Sequence, residues 1–330
     1  MFNVQKEEIS DDEVGKIIKK DFENGLINEY LLFGEDRVCL PRYFEQRAAD
    51  VDALEISNDD VILASFPKSG TTWVREMVWL IENDLNYEGA KVDLRERFPE
   101  LPGIFNPRFE ANDPNFGIVL KEFKAASGRR LIKTHLPFSL LPRQIRDGTK
   151  TPKIIFVMRN PKDVFVSYHH MGLLMMGWLA NREDFAKAFL ADKVLYAPYW
   201  QVVHGYWTRR ALPNVLILKY EEMIKDLKSV LLRTSAFLGK DPMSEEQLER
   251  LCAHLSFDSM KGNPAVNSQK LVMQRRTYNP NANGSFMRSG RIGDYKAEMS
   301  PRMVSAFDAW IKKNIQNTDF DEQYAYFGQI

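Results

Sequence analysis

The residues best suited to chemistry fall in four short groups. The first is Phe66-Pro67-Lys68-Ser69-Gly70-Thr71-Thr72-Trp73. It joins a cation and three hydroxyls to a glycine that can take backbone angles closed to other residues. A helix beginning there would add unpaired N–H groups and a partial positive charge, so the group suits a phosphate-type anion. In the standard phosphate-binding loop, Lys directly follows the last Gly and a Ser or Thr holds Mg²⁺. Here Lys68 lies two residues before Gly70 and the first Gly is absent. That order points to an anion handled without a metal. Taken alone, the loop also reads as a solvated turn ahead of an ordinary helix.

The second group is Lys133-Thr134-His135. On a strand, Lys133 and His135 project from the same side. Histidine is the side chain suited to taking a proton near neutral pH. The third group is Arg159 with Ser167, two turns into the helix that Asn160-Pro161 should start. Both can line one anion site if that helix crosses back over it. The fourth is Arg288 and Arg291, set among Gly284, Gly290 and Gly293. An Arg beside Gly lets guanidinium and backbone approach one phosphate together.

A candidate acceptor wall is more diffuse. His169 and His170 are helix neighbours that diverge by about 100°, so they cannot share a metal; no metal site is expected. His170, Met171 and Met175 read as lining of an adaptable apolar pocket, or as core. Phe105 and Phe109 lie in the Pro-interrupted stretch 86–129, which reads as a lid, a pocket wall or a plain covering loop.

The elements that must position these groups alternate strand and helix. Short apolar runs at Val61–Leu63, Leu131–Ile132, Lys153–Met158 and Asn214–Tyr220 predict buried parallel strands. Helical spacing follows from Trp73 and from Pro161, and again over 13–22, 184–191, 198–210, 244–254 and 301–315. The segment Tyr30–Tyr43 reads as an apolar loop, and 261–297 as a polar segment that closes over a ligand. The expected class is α/β, with a mainly parallel central sheet flanked by helices and a P-loop-like turn. A single domain is expected over 1–330, with 1–57 as a preamble contributing to the pocket.

Bulk composition narrows the partners. The chain has 330 residues, 44% hydrophobic, with 45 Lys+Arg against 45 Asp+Glu. Zero net charge argues against a broad nucleic-acid face. Cys39 and Cys252 supply neither a disulfide framework nor a zinc cluster. No apolar run approaches the ~20 residues that span a bilayer, and the acidic start argues against a secretory signal. A soluble, cytoplasmic protein with a small-molecule partner is expected.

Side by side, FPKSGTTW at 66–73, IKTHLP at 132–137, RNPKDVFVS at 159–167, LKYEEM at 218–223 and RSGRIGDYK at 288–296 resemble the motifs of the cytosolic sulfotransferases. The resemblance implies 3′-phosphoadenosine-5′-phosphosulfate (PAPS) as cofactor, PAP as its product, and no metal. It implies that Lys68, Ser69, Gly70, Thr71 and Thr72 hold the 5′-phosphosulfate and that Trp73 stacks on adenine. Arg159, Ser167, Arg288, Ser289 and Gly290 would hold the 3′-phosphate, and Tyr220, Ser256, Phe257 and Met260 would make further nucleotide contacts. His135 would be the catalytic base, with Lys68 and Lys133 stabilising charge. Tyr295 replaces the usual Trp of the last motif. Lys296, Ser300, Pro301 and Ser305 stand where many vertebrate members carry a dimer motif, which leaves oligomeric state open. The length of the 86–129 loop resembles the insect branch that includes a retinol dehydratase. Sulfuryl transfer to a small apolar alcohol or phenol is the expected activity. Its rivals are dehydration of an allylic alcohol, a catalytically silent binding protein and a P-loop kinase.

Overall fold

The computed structural model describes residues 4–101 and 128–320. Four parallel strands form the central sheet in the order β5-β4-β6-β7: β4 (Val61–Ser65), β5 (Leu131–Thr134), β6 (Lys153–Met158) and β7 (Val215–Lys219). The register aligns Leu63 with Lys133 on one side and with Ile155 on the other. The chain leaves central β4 first to one side and then to the other, so the ends of β4, β5 and β6 open a crevice between them. Open α/β sheets bind ligands at that position. Each strand is buried on both faces, with alternate residues serving separate cores. Ile62, Ala64, Ile132, Ile154 and Phe156 belong to one. Val61, Leu63, Ile155, Val157 and Leu218 belong to the other. This two-sided burial explains the continuous apolar runs.

The expected loop at Tyr30–Tyr43 is instead a β-hairpin. β2 (Tyr30–Phe33) and β3 (Val38–Pro41) pair antiparallel, and β1 (Lys6–Glu8) adds to the edge of β2. The turn uses Gly34 and Arg37 at positive φ. Both strands of the hairpin are buried throughout, so the polar alternation that marks a half-exposed strand is absent. The segment 261–297 is also less irregular than expected, holding helices Gln269–Arg275 and Tyr295–Glu298.

The site-bearing helices start as the sequence requires. Asn160 accepts from the Lys162 N–H with Pro161 at the first helical position of Pro161–Met171. Ser244 and Gln247 form a reciprocal capping box ahead of Glu245–His254. Helix Thr71–Glu82 starts two residues before the expected Trp73. Among the described residues, no helix is long and apolar enough to cross a membrane.

Phe156 is fully buried in β6 and stacks on Tyr206 at 4.4 Å between ring centroids. Phe156→Ala should cost about 3–5 kcal/mol of stability. Urea unfolding followed by far-UV circular dichroism measures it; a loss under about 1 kcal/mol would show that this face of the sheet can collapse onto the cavity.

Candidate active site

β4 ends at Ser65 and the next helix begins at Thr71, so five residues make the turn. Lys68 and Gly70 both adopt left-handed backbone, with φ of 69° and 106°. A Cβ at Gly70 would lie 2.7 Å from the Tyr220 ring, so space as well as angle requires glycine. The hydroxyls of Ser65 and Thr71 bond at 2.7 Å and tie strand end to helix start. No side chain caps the helix and its first turn carries no acid. Its positive end is therefore free to meet an anion.

Cations gather at that end. Arg159 donates to the carbonyls of Lys68 at 3.3 Å and Arg291 at 2.9 Å, and its guanidinium lies 4.1 Å from the Tyr220 ring centre. Arg288 donates to Asp294 at 2.7 Å and Glu298 at 2.6 Å. The Lys68 ammonium rests 3.7 Å over the Phe286 ring. Burial, and then the charges of Arg159 and Arg288, push Lys68 down to about 7. Ser69 Oγ, Trp73 Nε1, Arg159 Nε and Arg288 Nε are buried without a hydrogen-bond partner. Buried donors seldom stay unpaired. Trp73, Arg159 and Arg288 line one cavity of about 720 Å³, so their donors fit a polyanionic ligand.

Most of the expected nucleotide residues meet there. Lys68, Gly70, Thr71, Thr72, Trp73 and Arg159 line the cavity, as do Ser167 and Tyr220. From the far side come Ser256, Phe257 and Met260, then Arg288, Ser289 and Gly290. Ser69 lies buried behind them. The C-terminal loop is fastened to helix Pro161–Met171 by Asp163, whose carboxylate accepts from the N–H groups of Gly293 at 2.8 Å and Tyr295 at 3.2 Å. Phe257 packs against Gly290, where a Cβ would lie 2.3 Å from the ring.

His135 follows β5 and lines the same cavity. Its Nδ1 lies 2.7 Å from the Ser65 carbonyl. A carbonyl only accepts, so Nδ1 carries the hydrogen and Nε2 keeps the lone pair. Burial, then the nearby charge of Lys133, holds the imidazole well below its usual range. The ring is therefore neutral at physiological pH and able to take a proton. Lys133 also lines the cavity, with its ammonium 2.7 Å from Glu100.

Beyond His135 the wall turns apolar. Met171 and Met175 line it as expected, joined by Met176, Leu195, Tyr196 and Leu271. Residues 172–176 form a π-helical turn packed on helix Gln269–Arg275, an irregularity often found beside functional sites. His170 is not in this wall. Its Nε2 lies 3.2 Å from the Ser285 carbonyl, against the C-terminal loop. One step along the helix, about 100°, separates its direction from that of Met171. Phe105 and Phe109 lie outside the described residues. Sequence reasoning missed Arg75, two residues past the FPKSGTTW motif, and Glu100 and Tyr196, which have no motif around them.

Residues 58–319 match the family model described as the sulfotransferase domain. The luciferin sulfotransferase of Photinus pyralis is 44% identical, over 96% of this chain and 88% of that protein. Sulfotransferase 1E1 of Mus musculus is 31% identical, over 89% and 97% respectively. Retinol dehydratase, crystallised with retinol and PAP, superposes with a TM-score of 0.82 at 33% identity, covering 96% of this chain and 98% of the other. The same enzyme has been crystallised with androsterone and PAP, at TM-score 0.82 and 32% identity, with the same coverage. Motifs, fold and donor-rich cavity thus agree: the chain belongs to the sulfotransferase family, enzymes whose sulfuryl donor is PAPS.

Proposed function

We propose that this enzyme transfers the sulfuryl group of PAPS to the hydroxyl of a small, largely apolar alcohol or phenol, with His135 as general base. The observation that carries the reading is the bond from His135 Nδ1 to the Ser65 carbonyl, which leaves the Nε2 lone pair for the acceptor. Ser65 is also the last residue of the strand that feeds the anion loop, so one residue relates base and donor site. When bound, the nucleotide supplies a sulfur joined to a good leaving phosphate. The acceptor hydroxyl loses its proton to Nε2 as its oxygen bonds to sulfur. The nucleotide would supply the leaving group, its phosphate oxygen keeping the electron pair of the broken S–O bond. Lys68 and the N–H groups of Gly70, Thr71 and Thr72 meet that charge. Arg159, Ser167, Arg288, Ser289 and Gly290 hold the 3′-phosphate. Trp73, Tyr220, Phe257 and Met260 supply apolar surface for the base, with Ser256 at its edge.

The apolar wall from Met171 to Leu271 supports an apolar acceptor, as do the luciferin, retinol and androsterone of the relatives' names. The likeness to retinol dehydratase also supports a second reading, in which sulfonation of an alcohol is followed by elimination. Product analysis separates them: a stable sulfate ester marks transfer, an alkene marks elimination. We read 1–330 as one functional unit, since the β2–β3 hairpin shares its core with β4 and β6. The unpaired Cys39 and Cys252 support a reducing, cytoplasmic setting.

His135→Asn should lower kcat by roughly 10²-fold or more, with nucleotide affinity nearly unchanged. A variant that keeps most of its turnover removes His135 as the base. Because protonation silences the base and its pKa is held down, the acid limb of kcat/KM should fall below pH 6.5, the ordinary histidine value.

Arg159→Ala should weaken PAP binding by about tenfold and leave the 3′-dephospho analogue nearly unaffected. Equal losses for the two would place Arg159 away from the 3′-phosphate.

Lys68 is half neutral near pH 7 in the free protein, and a bound polyanion restores its charge. PAP binding should therefore take up about half a proton at pH 7 and close to one at pH 8, and weaken as pH rises. Titration calorimetry in buffers of different ionisation enthalpy reads this directly; proton release on binding would contradict it.

A further inference from the structure

Glu100 is the acidic residue among the described lining of the cavity. It is not placed by chance. Its segment adds to the free edge of β5: the Lys133 N–H donates to the Pro99 carbonyl at 2.9 Å and the Leu101 N–H to the Lys133 carbonyl at 2.7 Å. Arg75, one turn into the helix after the anion loop, donates to the carbonyls of Leu94 at 3.1 Å and of Phe98. Donor loop, strand end and the Glu100 segment are thus fastened to one another. The carboxylate meets Lys133 Nζ at 2.7 Å, with the two side chains 22% and 10% exposed. It also faces the hydroxyl of buried Tyr196, whose ring stands edge-on to His135 at 5.2 Å between centroids.

The surroundings of His135 explain why a carboxylate is needed. Lys133 from its own strand, Arg75 from the helix and Lys68 from the loop all place positive charge near it. Among the described residues, the Ser65 carbonyl and hydroxyl and the Tyr196 ring also lie against it. A proton taken up there makes an imidazolium among three cations, in a site where charges are poorly screened. Among the described residues lining the cavity, Glu100 is the carboxylate, and it meets Lys133 rather than His135 itself.

Resting on the reading of His135 as base, we propose that Glu100 is a positioning residue of the reaction centre. It fixes Lys133 and Tyr196 beside His135 and offsets the positive charge that opposes proton uptake by the imidazole. Glu100→Gln keeps shape and hydrogen bonding and removes only the charge. That change should lower the basicity of His135 further. The acid limb of kcat/KM should move about one unit to lower pH, kcat should fall about tenfold, and the dissociation constant of PAP should stay within about twofold. Glu100→Asp, which restores the charge, should recover most of both effects. A ¹⁵N NMR titration of the His135 ring, compared with Glu100→Gln and with Glu100→Gln/Lys133→Met, reads the same shift without turnover. The single variant should titrate lower than the wild type, and deleting both charges should raise it again. An acid limb and ring titration unmoved in Glu100→Gln would overturn the proposal, even with activity lost. Survival of turnover in His135→Asn would instead overturn the base assignment itself.

Discussion

Like charges crowded into a dry space are the constraint on which this molecule is built. The half-buried Lys68 has the guanidinium groups of buried Arg159 and half-buried Arg288 near it. Such a cluster opposes folding unless other contacts hold it. The holding contacts of Lys68 and Arg159 are neutral, and those of Arg288 are acids. Arg159 is pinned by two carbonyls and a ring, Arg288 by acids on its own loop, and Lys68 by an aromatic face. Among the described residues, no carboxylate pairs with Lys68 or Arg159, whereas Asp294 and Glu298 pair with Arg288. The free protein therefore holds an unbalanced positive field that the nucleotide completes, and part of its binding free energy was stored when the chain folded.

The parallel sheet makes that storage affordable in structural terms. β4 sits between β5 and β6 and is buried on both faces, which gives the anion loop a rigid base. Strand ends then set spacing: Ser65, His135 and Arg159 all follow strand termini and differ by which strand they follow. The loop, the base and the guanidinium need no long-range search to meet, since register alone brings them together.

Much of this was legible in the chain because it is local. A glycine after a lysine, a histidine two residues past a lysine at a strand end, and an Asn-Pro helix start are patterns of a few residues. Each reads the same before and after folding. Lys68, His135, Arg159 and Arg288, each from a different motif, line one cavity. What failed was whatever depended on packing. The β2–β3 hairpin looked like a loop because both its faces are covered, leaving no alternation to see. His170 was grouped with Met171 by proximity in sequence, whereas one step along a helix turns it to a different neighbour. Glu100 and Tyr196 lie in segments without periodicity; the pairing of Pro99 and Leu101 with Lys133 reveals the first, and the ring contact with His135 the second.

The π-helical turn at 172–176 bears on how such an enzyme can change its diet. Leu174 and Met175 pack with Val272 in a small cluster of their own, apart from the two large cores that hold the sheet. Stability changes from substitutions there should add to those in the sheet rather than couple with them, because the clusters are separate. The donor half of the cavity has no such independence, being tied to strand ends and glycines that tolerate no added atom. Lineages bearing this architecture thus inherit a fixed reagent and a tunable palate.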